Sequence, residues 1–134
     1  MKIKVIASSR EIYTSDQVQE VYVPATQGIT GILPGHAKLI STLEIGELRI
    51  KLPQETKSIA LNGGLIQVAK DEILILADEA SLAEELVSEQ IAAAIANAEA
   101  KISGKLEPSE LIQLEKILRY ERFKQGMIDG PKGV

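Results

Sequence analysis

The chain has 134 residues, of which 45% are apolar and 25% charged, enough for one ordinary domain, or one small domain plus an appendage, with a core of modest size. A formal charge of -4 excludes general nucleic-acid binding, which draws its affinity from Lys and Arg neutralising phosphates. The absence of cysteine removes disulfides, thiolate metal sites and thiol catalysis together, and is compatible with a reducing compartment.

Met1-Lys2-Ile3-Lys4 enters an alternating strand at once, without the charged start and apolar block of a signal peptide. Apolar runs such as Ile73 to Ala77 fall far short of the roughly 18 to 20 residues that cross a bilayer. Any membrane association is therefore expected to run through a partner.

Residues 2–80 read as one short strand after another, with turn residues at the spacing of a sandwich or flattened barrel. Ile3, Val5 and Ala7 share one face. A second segment lies around Glu11 to Thr14, and a third alternates Val21 and Val23 with Glu20 and Tyr22 until Pro24 ends it or marks an edge. Glu47-Leu48-Arg49-Ile50-Lys51-Leu52 alternates cleanly, as a strand with one wet face requires. Pro53-Gln54-Glu55 turns it, residues 58–61 return, Asn62-Gly63-Gly64 is expected to turn again, and residues 65–69 continue to a tight turn at Lys70-Asp71. The run Ile73 to Ala77 predicts a strand covered on both faces.

Residues 28–39, GITGILPGHAKL, stand apart from this pattern. Gly28, Gly31, Pro34 and Gly35 punctuate a short apolar run, so the backbone must turn at fixed places, and Pro34-Gly35 predicts a tight turn. His36, the only histidine, follows it and is the first candidate for catalysis. No serine lies in a nucleophile-elbow context, and no acidic cluster has ligand spacing to make a metal site with one histidine. A structural or interface role for His36 is the better reading, and no residue is assigned to catalysis, a cofactor or a metal.

After Asp78 the apolar period changes from two to about 3.6, the predicted domain boundary. Ser81-Leu82-Ala83-Glu84 fits a capping box, with Ser88 as a competing N-cap. Val87, Ile91, Ala94, Ile95, Ala98 and Ile102 form one apolar stripe among many alanines. Gly104 is the expected C-cap and Pro108 the first position of a second helix, whose stripe is Leu111, Leu114 and Leu118, widened by Ile117 and Phe123. The expected organisation is α+β: an N-terminal antiparallel β-sandwich over residues 1–80, an antiparallel two-helix hairpin over 81–128, and a loose tail over 129–134. Lys116, Arg119, Arg122 and Lys124 gather on the second helix, interleaved with Glu115 and Glu121. They read either as a solvated face with weak i,i+4 pairs or as a docking surface for an acidic partner helix.

The segment GITGILPGHAKL resembles the signature of the epsilon subunit of bacterial F-type ATP synthases, in which a glycine-bounded apolar triplet leads into Pro-Gly-His. Leu43-Glu44-Ile45-Gly46-Glu47-Leu48-Arg49-Ile50, the pair Gly63-Gly64 before Leu65, and Ile73-Leu74-Ile75-Leu76-Ala77-Asp78 follow in that family's order and spacing, so the resemblance covers nearly the whole chain.

The resemblance implies a non-catalytic rotor subunit of the central stalk, coupling ion-driven rotation to ATP synthesis. Its sandwich would bind the rotating gamma shaft through Gly31, Pro34, Gly35 and His36. Residues 26–30 would face the c-subunit ring, where many members carry an acidic residue in place of Ile29. The hairpin would either fold down against the sandwich or extend between the alpha and beta catalytic subunits, where Lys116, Arg119, Arg122 and Lys124 would meet an acidic segment of beta and inhibit hydrolysis. The implied location is peripheral, on the cytoplasmic face of the cell membrane or on a thylakoid membrane. Some members bind ATP through an apolar residue, Asp, two variable residues, Arg and Ala; Leu86-Val87-Ser88-Glu89-Gln90-Ile91 lacks both the acid and the arginine, so weak or no ATP binding is expected. The competing reading from the residues alone is a stand-alone sandwich module that self-associates through its hairpin.

Overall fold

The computed structural model describes residues 1–129, and the chain divides into two compact units, Met1–Glu84 and a second that begins at Glu85. The first holds eight strands: β1 (Lys2–Ala7), β2 (Arg10–Ser15), β3 (Glu20–Ala25), β4 (Gly28–Ile32), β5 (Leu39–Lys51), β6 (Thr56–Ala69), β7 (Glu72–Ala77) and β8 (Ala80–Leu82). They pair in the order β2-β1-β7-β6-β5-β3-β4, with β8 also on β6.

The long strands β5 and β6 pair antiparallel along their lengths and serve both layers of the sandwich. Residues 64–69 of β6 pair with β7, whereas residues 59–61 pair with β8. Residues 49–51 of β5 pair with β3. One pair, β1 with β7, runs parallel in an otherwise antiparallel arrangement. The two strands lie at opposite ends of the unit's sequence, so no hairpin dictates their direction.

Alternation supplies the core. Ile3 and Val5, Val21 and Val23, Leu48 and Ile50, Ile59 and Leu61, and Ile66, Ile73 and Ile75 turn inward and are buried. Each such aliphatic side chain contributes roughly 1.5 to 3 kcal/mol by leaving water. Several sequence expectations need correction. Asn62-Gly63-Gly64 is no hairpin turn: β6 runs straight through it, and the positive φ of Gly63 (73°) and Gly64 (134°) bends one strand between the layers. The alternating segment 47–52 is likewise not a strand of its own but the end of a longer one, β5, which starts at Leu39 and leaves Leu52 just beyond its end. Pro24 neither ends β3 nor marks an edge, because β3 lies between β4 and β5 and continues to Ala25. The β3–β5 register breaks between Tyr22 and Ala25, where a missing N–H costs little. Strand β7 is covered on one face only, since Leu76 is 45% exposed.

The second unit is a hairpin of α1 (Ser88–Ile102) and α2 (Pro108–Asp129), with Glu99 beside Arg122 across it. The capping box does not form. Ser81 lies in β8, opposite Ala60, and a 3-10 turn (Ala83–Glu85) follows. The N-cap of α1 is Val87, without a side-chain cap, and Ser88 is its first helical residue. Gly104 is not a left-handed cap; the C-cap is Ser103 in the right-handed region, and the Gly104 N–H donates to the Lys101 carbonyl at 3.2 Å. Pro108 opens α2, where its missing N–H would be unsatisfied anyway. Ile117 lies outside the covered stripe and is exposed, while Tyr120, absent from the expected stripe, is buried. Asp129 ends α2 rather than beginning a tail, and the rest of the expected tail, 130–134, lies outside the described residues.

Candidate partner-binding surfaces

The sequence between β4 and β5 forms the tight turn its Pro-Gly pair predicts. The His36 N–H donates to the Leu33 carbonyl at 3.0 Å. Pro34 stands at the second position, and Gly35 at the third has φ of 83°, the pattern of a type II turn. The Gly35 N–H donates to Asp71 Oδ1 at 2.7 Å, 36 residues away in sequence. His36 is half-buried, and its Nδ1 lies 2.7 Å from the Ala37 carbonyl oxygen.

Pro34, Gly35 and His36 thus share one turn. Gly31 is elsewhere, inside edge strand β4 rather than in an irregular segment, paired with Tyr22 of β3. A Cβ on Gly31 would lie 3.1 Å from Tyr22 Cε1, so the absence of a side chain lets the ring lie over the strand. The Tyr22 hydroxyl donates to Glu20 at 3.3 Å. Ile29 at the start of β4 is 82% exposed and Leu33 just past its end 55% exposed, an uncommon allotment of apolar surface to water. The preceding turn is fixed by the Thr26 N–H donating to the Thr42 carbonyl at 3.0 Å and by a hydroxyl contact between Thr26 and Thr42.

On α2 the four basic residues do not form one group. At about 100° per residue, Lys116, Arg119 and Arg122 follow one another at 60° steps, whereas Lys124 lies roughly 140° from Arg119. Lys124 is only 13% exposed, paired with Glu121 at 2.6 Å and held 4.6 Å from the Tyr120 ring centroid. Arg119 and Arg122 line a shallow depression with Glu115, Leu118 and Ile102, and Arg122 Nη2 donates to Glu99 Oε2 at 2.8 Å. Among the described residues no group of three or more His, Cys, Asp or Glu is placed to hold a metal. None of the described helices is long and apolar enough to cross a membrane.

Turn, edge strand and helix face thus carry the candidate residues on an α+β chain made of a β-sandwich and a pair of helices. A family model described as the ATP synthase delta/epsilon chain beta-sandwich domain matches residues 1–83. The chain is 32% identical over 129 residues to the ATP synthase epsilon chain of Prochlorococcus marinus, covering 92% of this chain and 96% of the relative. It is 33% identical over 124 residues to that of Synechococcus elongatus, covering 92% and 90%. A chain of the Euglena gracilis mitochondrial ATP synthase structure shares the fold at a TM-score of 0.77 and 22% identity, over 94% of this chain and 79% of that one. The chain belongs to the ATP synthase epsilon-chain family, whose members are non-catalytic stalk subunits.

Proposed function

We propose that the chain works in the central stalk of an ATP synthase, coupling ion-driven rotation to ATP synthesis by contact alone. The sandwich binds the gamma shaft through Pro34, Gly35 and His36 of the turn and through Gly31 of β4, and faces the c-subunit ring with residues 26–30. The carrying observation is that the similarity to an epsilon chain runs through both units rather than the sandwich alone, covering 92% of this chain. Exposed Ile29 and Leu33 on β4 and its exit support the reading, since apolar surface placed in water is covered in a complex. Membrane association then runs through the complex.

The hairpin is the regulatory part, with Lys116, Arg119 and Arg122 as the face that meets the acidic segment of beta between the catalytic subunits. Lys124 is a minor contributor, because Glu121 and Tyr120 already engage it. The test is ATP hydrolysis by an F1 complex lacking its epsilon subunit, titrated with the full chain and with an Arg119→Gln/Arg122→Gln variant. Saturable inhibition by the chain, weakened in the variant, supports both parts. Binding without inhibition keeps the stalk role and removes the switch; no binding to a cognate complex removes the stalk role.

A further inference from the structure

We propose that the Asp71 carboxylate positions the 33–36 turn, holding it in its partner-ready conformation from the neighbouring β6–β7 turn. The inference rests on the reading of that turn as the shaft contact and adds a residue outside the signature segment to it.

Within the turn, the His36 N–H is used by the Leu33 carbonyl. The N–H of Gly35, at the third position, is directed to an acceptor outside the turn. Asp71 Oδ1 accepts it at 2.7 Å, the short length of a hydrogen bond to a charged acceptor. Packing does not hold Gly35, because a Cβ built there would meet nothing within 4 Å. Leu33 beside it stands largely in water.

The anchoring end is better fixed than the turn it holds. Asp71 lies in the tight turn between β6 and β7, and its carbonyl accepts the Lys2 N–H at 2.9 Å, which ties the turn to β1 as well. Lys70 and Asp71 adopt φ of 52° and 59°, the left-handed region in which glycine or asparagine is the usual choice for a two-residue hairpin. Turn geometry alone therefore does not call for a carboxylate at 71, but the bond to Gly35 does. A loop ordered before its partner arrives avoids paying ordering entropy on binding.

The experiment uses the full chain in four forms: wild type, Asp71→Gly, Asp71→Asn and His36→Ala. Glycine suits the φ at 71 and removes the acceptor; asparagine suits it and keeps an acceptor oxygen. Amide exchange at Gly35 reports the tether, and titration against F1 lacking its epsilon subunit reports the contact. Asp71→Gly is expected to speed Gly35 exchange about tenfold and weaken binding about three- to tenfold, with Asp71→Asn near wild type in both. Unchanged Gly35 exchange in Asp71→Gly overturns the tether. Faster exchange with unchanged binding, while His36→Ala weakens binding, overturns the positioning role and leaves the contact reading intact. Unchanged binding in both Asp71→Gly and His36→Ala overturns the contact reading and the inference with it.

Discussion

The backbone of Gly64 passes so close to the Leu76 carbonyl oxygen that no Cβ fits between them, and the Cα of Ala77 lies only 2.8 Å from where that atom would be. The obstacle is backbone on a paired strand, so it cannot rotate away. Gly64 also carries φ of 134°, which side chains rarely adopt. Gly64→Ala is therefore expected to destabilise the sandwich by about 2 to 5 kcal/mol, strain and overpacking together. The contrast is Gly126 in α2, where a Cβ meets nothing within 4 Å, and Gly126→Ala is expected to stabilise by about 0.5 to 1 kcal/mol. Urea unfolding of both variants checks the pair, and a Gly64→Ala protein as stable as wild type would remove the corner from the account.

Neighbouring residues of β7 separate the two faces of that strand. Ile75 is fully buried, while Leu76 is 45% exposed. Ile75→Ala is expected to cost about 2 to 5 kcal/mol through transfer and cavity terms. Leu76→Ala is expected to cost about 0.5 kcal/mol or less, the usual range for surface positions. Equal costs from the same unfolding measurement would mean that Leu76 is covered in solution.

These two residues also show what the sequence made legible. Period-two alternation placed Ile3, Val5, Leu48 and Ile50 correctly, because the pleat forces it. The apolar run at 73–77 hid its own exposed residue, since hydropathy cannot distinguish a side chain covered by its own domain from one facing outward. Gly63-Gly64 read as a hairpin turn because positive φ serves a chain reversal and a strand bend equally well; only pairing over the full length of β5 and β6 tells them apart. Among the candidate site residues, the Pro34-Gly35 turn was legible from local chemistry. The Gly35 tether to Asp71 was not, being a pairing across 36 residues. Lys124 was grouped with Arg119 and Arg122 by spacing in sequence, whereas the helix turns it to another side.

Arg122 and Glu99 join the two helices by an ion pair whose side chains are more than half exposed. Such pairs are largely offset by hydration and side-chain entropy, so a double-mutant cycle with Arg122→Gln and Glu99→Gln is expected to give a coupling of about 0.2 to 1 kcal/mol, falling as salt is raised. Arg122 is thus weakly held and free to exchange partners at small cost. A coupling well above that range, insensitive to salt, would contradict the exposed geometry.

Lys57 connects β6 to the 3-10 turn at the end of the first unit, its ammonium donating to Glu84 at 2.7 Å with Glu55 at 3.7 Å. The hydrogen bond to Glu84, opposed by some desolvation and helped by the charges of Glu55 and Glu84, raises the Lys57 pKa above its ordinary 10.5. A base with a raised folded-state pKa stabilises the fold fully below its unfolded value, and the contribution is lost as pH climbs through the folded value. Wild type is therefore expected to melt slightly above Glu84→Gln at neutral pH and up to about pH 10, with the gap closing above 10.5. Because Glu84 is exposed and Lys57 only partly covered, added salt should narrow the gap as well. Melting temperatures of the two proteins from pH 7 to pH 11.5 provide the check. A gap that persists unchanged above pH 11 would assign Glu84 a role other than pairing with Lys57, and no gap at neutral pH would mean the pair is not formed in solution.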